Sequence, residues 1–363
     1  MTTSDVDDLT RRKFLKLATG GLLGAGALTL GLKPWKNTAA RGVNVSQTRP
    51  AMGTFVEITA YGEEEDGLNQ LIDGAYKKIT EVDETMSVFK DQSRVYRLNV
   101  EGTRKVNLTS GLVEVLREGQ RISEITEGSF DMTIAPLLDL WGFYEHELTV
   151  PAEKELRDTL KLVDYRGLEV NRAKAVARLP DSNAAIDLGG IAKGYAVDKA
   201  AEFLKDRGAT AGLVNAGGDI RAFGSPEADR EWKIGLQHPI LDNKLLGAVN
   251  LILPAITTSG NYESFFTYQG NKLSHIIDPR DGRPVEDTLS VSVLTDRAIV
   301  ADGLSTGLFS QDARQALTSV ANLEDTELIY IWKEDQQIQV DVTNGLEGEV
   351  DANGFEKELS SLA

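Results

Sequence analysis

Five short segments carry residue types that could do chemistry. The first runs Ile186-Asp187-Leu188-Gly189-Gly190-Ile191-Ala192-Lys193-Gly194 and on to Asp198. An apolar approach, a Gly-Gly turn and a helix start are a place where backbone groups meet a ligand. Lys193 adds a positive point for a phosphate, and Asp187 a carboxylate that could accept from a sugar or base. The same pattern also makes an ordinary strand-to-helix turn. The second segment, Leu213-Val214-Asn215-Ala216-Gly217-Gly218-Asp219-Ile220-Arg221, breaks a strand at two glycines and resumes with two charges; a plain hairpin reads equally well. The third, Ile256-Thr257-Thr258-Ser259-Gly260-Asn261, ends a strand in hydroxyl and glycine positions that offer donors to phosphate.

The last two segments carry the sharpest candidates. His275 lies in the apolar stretch Leu273-Ser274-His275-Ile276-Ile277, just before Asp278-Pro279 and Asp281-Gly282 turns. An imidazole titrates near neutral pH, which suits a general base, although a lone histidine is more often structural. In Ala301-Asp302-Gly303-Leu304-Ser305-Thr306, a helix puts Asp302 and Thr306 on one face, four residues apart. A carboxylate and a hydroxyl so placed can hold one side of Mg²⁺. Alternatively, Asp302 is an acid near a helix start, stabilising its dipole.

Composition narrows the chemistry. The 363 residues include no cysteine and only three histidines. Thiolate nucleophiles, disulfides, Cys-ligated zinc and iron–sulfur clusters are excluded, and a metal here is expected to be a hard cation on oxygen ligands. Asp and Glu outnumber Lys and Arg, 56 to 39, for a formal charge of −17. Such a chain repels a phosphate backbone, so nucleic acid is not expected as a partner. The apolar fraction of 41% and charged fraction of 26% are those of a globular protein.

The elements that must position these segments follow from periodicity. Residues 51–61 alternate as a strand. Helical spacing predicts helices over 65–85, 110–127, 152–164, 190–207, 298–307 and 312–321. Short strands around turns are expected within 165–187. Strands are expected near 211–215, 219–223, 232–237, 246–252, 254–258, 264–267, 273–277 and 289–294, with a pair over 327–340. Strands and helices mix irregularly, so the expected class is α+β in one compact unit over 41–341. Residues 342–363 are acidic and contain glycine, and are expected as a loosely ordered tail.

The N-terminus carries an address. Thr10-Arg11-Arg12-Lys13-Phe14-Leu15-Lys16 precedes an uncharged Gly/Ala/Leu-rich run from Leu17 to Leu32 and small residues at Thr38-Ala39-Ala40. The pattern is that of a signal peptide of the twin-arginine type over 1–40, shorter in its apolar run than the ~20 residues of a spanning helix. The expected location is exported and periplasmic; an uncleaved signal would leave the protein at the inner membrane. The glycine run Gly20-Gly21-Leu22-Leu23-Gly24-Ala25-Gly26 mimics a dinucleotide fingerprint but lacks a preceding strand.

Taken in order, these segments resemble the ApbE-type FAD:protein FMN transferases, the flavin transferases. The resemblance runs from about Arg49 to Thr318. It includes Ala51-Met52-Gly53-Thr54, Met86-Ser87-Val88-Phe89, Ser93, Leu98-Asn99, Gly128-Ser129-Phe130-Asp131-Met132-Thr133 and Pro136-Leu137. It implies an ApbE-like fold and Mg²⁺-dependent transfer of the FMN half of FAD to a Ser or Thr hydroxyl of a partner protein, with release of AMP. It further implies catalytic roles for His275 as base and for Asp302. Metal ligation would fall to Gly190 through its carbonyl, Asp302, Ser305 and Thr306. FAD contacts would come from Met52, Phe89, Ser129, Phe130, Asp131, Asp187 and Lys193, and from the backbone of Ile276 and Ile277. Phe89 departs from a frequent tyrosine, keeping a stacking face without the phenol. The implied acceptor is a subunit of a membrane redox complex. The alternatives are an FAD pyrophosphatase giving FMN and AMP, and an exported FAD-binding protein without catalysis.

Overall fold

A computed structural model describes residues 42–350 apart from 146–148, 227–230, 242–243, 262–264, 269–270 and 335–336. The expected signal segment and the end of the expected tail lie outside the described residues. The chain begins with β1 (Val43–Ala51), β2 (Thr54–Gly62), α1 (Glu65–Met86) and α2 (Arg94–Glu101). Then come β3 (Val106–Asn107), α3 (Ser110–Ile125), a 3-10 turn at Met132–Ile134, α4 (Ala135–Leu140), α5 (Glu153–Leu160), β4 (Glu169–Asn171) and β5 (Val176–Arg178). The second half holds α6 (Ala192–Asp206), β6 (Ala211–Ala216), β7 (Asp219–Phe223), β8 (Lys233–Gln237), β9 (Leu245–Asn250) and β10 (Ala255–Gly260). It closes with β11 (Phe265–Tyr268), β12 (Asn271–Ser274), β13 (Thr288–Thr295), α7 (Ala298–Phe309), α8 (Ala313–Val320), β14 (Thr326–Glu334) and β15 (Gln337–Val342).

An eight-stranded sheet in the order β1-β2-β6-β7-β10-β13-β14-β15 is the scaffold. Every neighbouring pair in it is antiparallel. Central strands β6 and β13 are buried along their whole length, whereas edge strand β1 alternates between half-buried and exposed. Helices α1, α6 and α7 cover one face. α1 turns Leu68, Ile72, Ala75, Ile79 and Val82 inward at helical spacing and leaves its charges in water. α7 sits between other elements, so it is apolar nearly all round. The other face carries a second core, where Ile234, Leu236, Leu246 and Val249 of the β8–β9 hairpin pack on Leu213, Ile256, Ile329 and Ile331 of the sheet. The α+β class in one compact unit is borne out.

Three boundaries differ from expectation. Residues 51–61 are not one strand: the chain turns at Met52-Gly53, and an unforeseen β1 pairs back on β2. Helices α2 and α4 have no counterpart in the periodicity reading. The expected tail is partly core: Leu346 is buried in the second core, and Val350 bridges to Val249. Apolar side chains spaced within an acidic stretch decide this, and composition averages them away.

Candidate active site

The site starts where the chain enters α6. Asn99 of α2 holds that entry: its Nδ2 donates to the carbonyl of Ile186 at 2.9 Å, and its Oδ1 accepts from the Ile186 amide at 2.8 Å. The Asp187 amide donates to the Met132 carbonyl at 2.8 Å. The Asp187 carboxylate then accepts from the Gly189 amide at 2.6 Å and from the Tyr144 hydroxyl at 3.0 Å. Burial raises its pKa, against the pull of those two donors. Phe89 meets Tyr144 edge-on at 5.7 Å between ring centroids and is 71% exposed, so a ring face stands open beside Asp187. Tyr144 was missed in the sequence; an isolated tyrosine in a loop gives no periodic signal.

Glycines then bring two helices into contact. A Cβ on Gly190 would stand 2.8 Å from Thr306 Cγ2 and 3.0 Å from its Oγ1. A Cβ on Gly194 would stand 2.2 Å from the carbonyl oxygen of Ala298. This close approach lets the Gly194 amide donate to Asp302 Oδ2 at 2.8 Å. Asp302 is buried, and burial raises its pKa while Lys193 and the Gly194 amide oppose the shift. The Lys193 ammonium lies 3.6 Å from Asp302 Oδ1 and pairs more closely with Asp219 Oδ2, at 2.5 Å. Burial and the neighbouring Asp302 charge likewise raise Asp219, with Lys193 holding it back. One ammonium thus serves two buried carboxylates.

The hydroxyls divide by strand alternation. Thr257 and Ser259 of β10 face α7, with Ser305 Oγ at 3.2 and 3.0 Å. Ser305 also donates to the Asp302 carbonyl at 3.0 Å and is fully buried. Its hydroxyl thus ties the Asp302 turn of α7 to β10. Thr306 Oγ1 is only 3.4 Å from Ser259 Oγ and lies against Gly190. Thr258 points to the opposite face and bonds Ser292 at 2.8 Å. The hydroxyls of the third segment thus bond α7 on one face of the sheet and β13 on the other.

A cavity of about 290 Å³ meets this arrangement at Lys193 and Thr258. Its rim is two adjacent hairpin turns, with Met52 (φ +50°) and Gly53 (φ +73°) in one and Gly217 (φ +61°) and Gly218 (φ +98°) in the other. Paired positive φ values match the twist of two-residue hairpins. Met52 is held in a conformation that costs an L-residue roughly 1–2 kcal/mol. Gly217 fits because a Cβ there would stand 2.6 Å from Thr54 Oγ1. Lys193 and His275 both line the cavity, together with Thr258, Ser290 and Ser292 of the sheet. His275 follows β12 and is half-buried. Downstream of it the chain is pinned: Trp141 Nε1 donates to the Gly282 carbonyl at 2.8 Å, and Ile277 packs with Trp141, Leu137 and Leu156.

Several residues expected at the FAD site make contacts within the protein. The Ile276 amide donates to Ser274 Oγ at 3.1 Å and its carbonyl accepts from Val285 at 3.0 Å, so its backbone is already used. Ile277 is a core residue bridged to Pro284. Ser129 accepts from Gln311 Nε2 at 3.3 Å, and Phe130 is in the main core. Asp131 accepts from the Thr133 amide and hydroxyl at 2.7 and 2.6 Å and from the Tyr165 amide at 2.9 Å. These three side chains shape the loop that hands the Met132 carbonyl to Asp187; they do not line the cavity. Among the described residues no three His, Cys, Asp or Glu side chains gather as a metal site, so a cation would have to draw on hydroxyl and carbonyl oxygens.

Known proteins resemble this chain in sequence and in fold. A sequence profile of the ApbE family matches residues 52–330. The chain is 32% identical over 270 residues to a Vibrio cholerae FAD:protein FMN transferase, covering 70% of this chain and 79% of that one. It is 31% identical over 248 residues to the enzyme of the same name from Haemophilus influenzae, covering 66% and 72%. Among solved structures, an ApbE protein from Thermotoga maritima superposes with a TM-score of 0.78 at 27% identity, covering 85% of this chain and 99% of that one. The flavin transferase ApbE from Vibrio cholerae gives 0.75 at 27% identity with the same coverage.

Proposed function

This chain belongs to the ApbE family, and from that premise we propose how its residues carry out FAD:protein FMN transfer. One observation carries the reading: Lys193 and His275, 82 residues apart in the chain, line one cavity. Asp302 of α7 stands beside Lys193, and Thr306, one turn further along α7, lies against Gly190. Lys193 supplies positive charge for the FAD pyrophosphate. Asp187 and the open face of Phe89 offer a hydrogen-bond acceptor and a stacking surface for the dinucleotide, and Met52 borders the cavity beside them.

The donor set fits Mg²⁺. Asp302 carboxylate, Thr306 Oγ1 and the Gly190 carbonyl are all hard oxygens, and the missing Cβ of Gly190 brings its backbone against Thr306. When bound, such a cation neutralises pyrophosphate charge. The chain's own residues orient the reaction. The oxygen of an acceptor Ser or Thr attacks the FMN-side phosphorus as the phosphoanhydride P–O bond breaks. AMP leaves with that bond's electron pair, and His275 takes the hydroxyl proton.

The N-terminal Arg11-Arg12 pattern supports export by the twin-arginine route, and the acceptor proposed is a Ser/Thr-bearing subunit of a membrane redox complex. Cell fractionation with N-terminal sequencing tests the location; a full-length chain confined to the cytoplasm would overturn it. The activity is tested by intact mass of a candidate acceptor domain incubated with the chain, FAD and Mg²⁺, with and without EDTA. The expected result is a gain of one FMN on the acceptor with AMP released, lost with EDTA. FMN and AMP with no gain on any acceptor would replace transfer by hydrolysis, and uncleaved FAD would leave only binding.

A further inference from the structure

The turn Asn215-Ala216-Gly217-Gly218-Asp219 is absorbed only in part by the reading above. Its glycines form part of the cavity rim, but Asp219 itself does not line the cavity. Asp219 is the first residue of β7 and its side chain is buried. Asn215 Oδ1 accepts from the Gly218 amide at 2.9 Å and fixes the turn that presents it. The Asp219 carboxylate reaches across to α6 and pairs with Lys193 at 2.5 Å. Two residues along β7, Arg221 lies 3.5 Å from Asp198, five residues along α6 from Lys193. Strand and helix thus exchange one acid–base pair in each direction. The two pairs are not equivalent. Asp198 also accepts from the Ala298 and Ile299 amides at the start of α7. Asp219 accepts from Lys193, and that lysine faces the cavity.

We infer that Asp219 is a positioning residue that holds the Lys193 ammonium between itself and Asp302, fixing a positive charge at the cavity wall. The inference rests on the proposed role of Lys193 at the FAD pyrophosphate. A lysine has four side-chain torsions and pays an entropic cost when it is aimed at a ligand. A buried carboxylate beside the ammonium settles that orientation before FAD arrives. A carboxylate that merely neutralised Lys193 would behave differently. Its removal would leave a more positive site, and the anionic dinucleotide would bind more tightly.

The sign of the effect decides between them. FAD affinity is measured by quenching of flavin fluorescence, and FMN transfer by acceptor mass, for the full chain and for Asp219→Asn, Asp219→Ala, Lys193→Ala and the Lys193→Ala/Asp219→Ala double variant. Asp219→Ala is expected to weaken FAD binding and lower transfer by about 10–100-fold despite the more favourable net charge. Asp219→Asn, which keeps an acceptor for the ammonium and the side chain's shape, is expected to fall between it and the parent. In the Lys193→Ala background the Asp219 change should cost nothing further, because the two act as one unit. Tighter or unchanged FAD binding in Asp219→Asn and Asp219→Ala would overturn the inference. So would an undiminished Asp219→Ala loss on top of Lys193→Ala. If the parent binds FAD but flavinylates no acceptor, the transfer reading fails while the affinity series still judges Asp219.

Discussion

At the residue scale, His275 is the group whose removal should separate binding from chemistry. It lines the cavity while the neighbours that fix its strand, Ser274, Ile276 and Ile277, are tied into the protein. His275→Ala should therefore leave FAD affinity and folding little changed. Single-turnover transfer should slow by about 10²–10⁴, the usual worth of a general base. An unaltered transfer rate would remove the histidine from the mechanism. The same scale shows what sequence could supply. Lys193, His275, Asp302 and Thr306 were legible because their types and order match a chemistry. Ser305 was not separable from Thr306, since adjacent hydroxyls on a helix differ only in what the next layer offers. β10 offers Thr257 and Ser259 to Ser305, and that assignment needs strand register. Phe130 and Asp131 show a related ambiguity, since both also pack or bond within their own loop and core. A residue within a functional segment can serve by shaping its backbone, and its type alone does not say which.

At the element scale, the start of α7 exposes a misassigned role. An acid near a helix start stabilises the dipole, and Asp302 was open to that reading. In the structure Asp302 is the fifth residue of α7, one turn too deep to cap it. Arg297, at the cap position, makes no side-chain cap. Asp198 of α6 does the work across the helix interface, accepting from Ala298 at 2.9 Å and Ile299 at 3.0 Å. No local pattern encodes a cap supplied 100 residues away. The consequence is mechanical: α6 and α7 are locked together by Asp198 at one end and by the Gly194–Asp302 bond at the other. Asp198→Ala should strand two buried amides and Arg221, at a cost of about 2 kcal/mol or more. Thermal unfolding should show a fall of several degrees. Full stability in Asp198→Ala would show that the cap is replaceable by water. Strands β7, β10 and β13, by contrast, were foreseen to within two residues, because apolar runs between turn residues are a local signal.

At the scale of the whole molecule, the cavity depends on a segment that composition assigned to a loose tail. The second face of the sheet is covered by the β8–β9 hairpin, and β8 supplies Ile234, Leu236 and Gln237 to the cavity wall. That hairpin is held from outside. The Asn250 amide donates to the Glu349 carbonyl at 3.1 Å, Asn250 Nδ2 donates to the Glu349 carboxylate at 2.9 Å, and Val249 bridges to Val350. Between them Leu346 fills the second core against the sheet. Acidic residues and glycine dominate this stretch on average, but three well-placed contacts outweigh an average. Leu346→Ala should cost about 2–5 kcal/mol, as for other buried leucines. At this size that lowers the unfolding midpoint by roughly 3–7 °C. Because the lost packing lies under one wall of the cavity, FAD should bind more weakly at a temperature where the variant is still folded. A chain ended after Val342 should show both effects more strongly than one ended after Val350. Equal unfolding midpoints for the two truncations would mean that the hairpin stands without its strap. The cavity wall would then be set by the sheet alone.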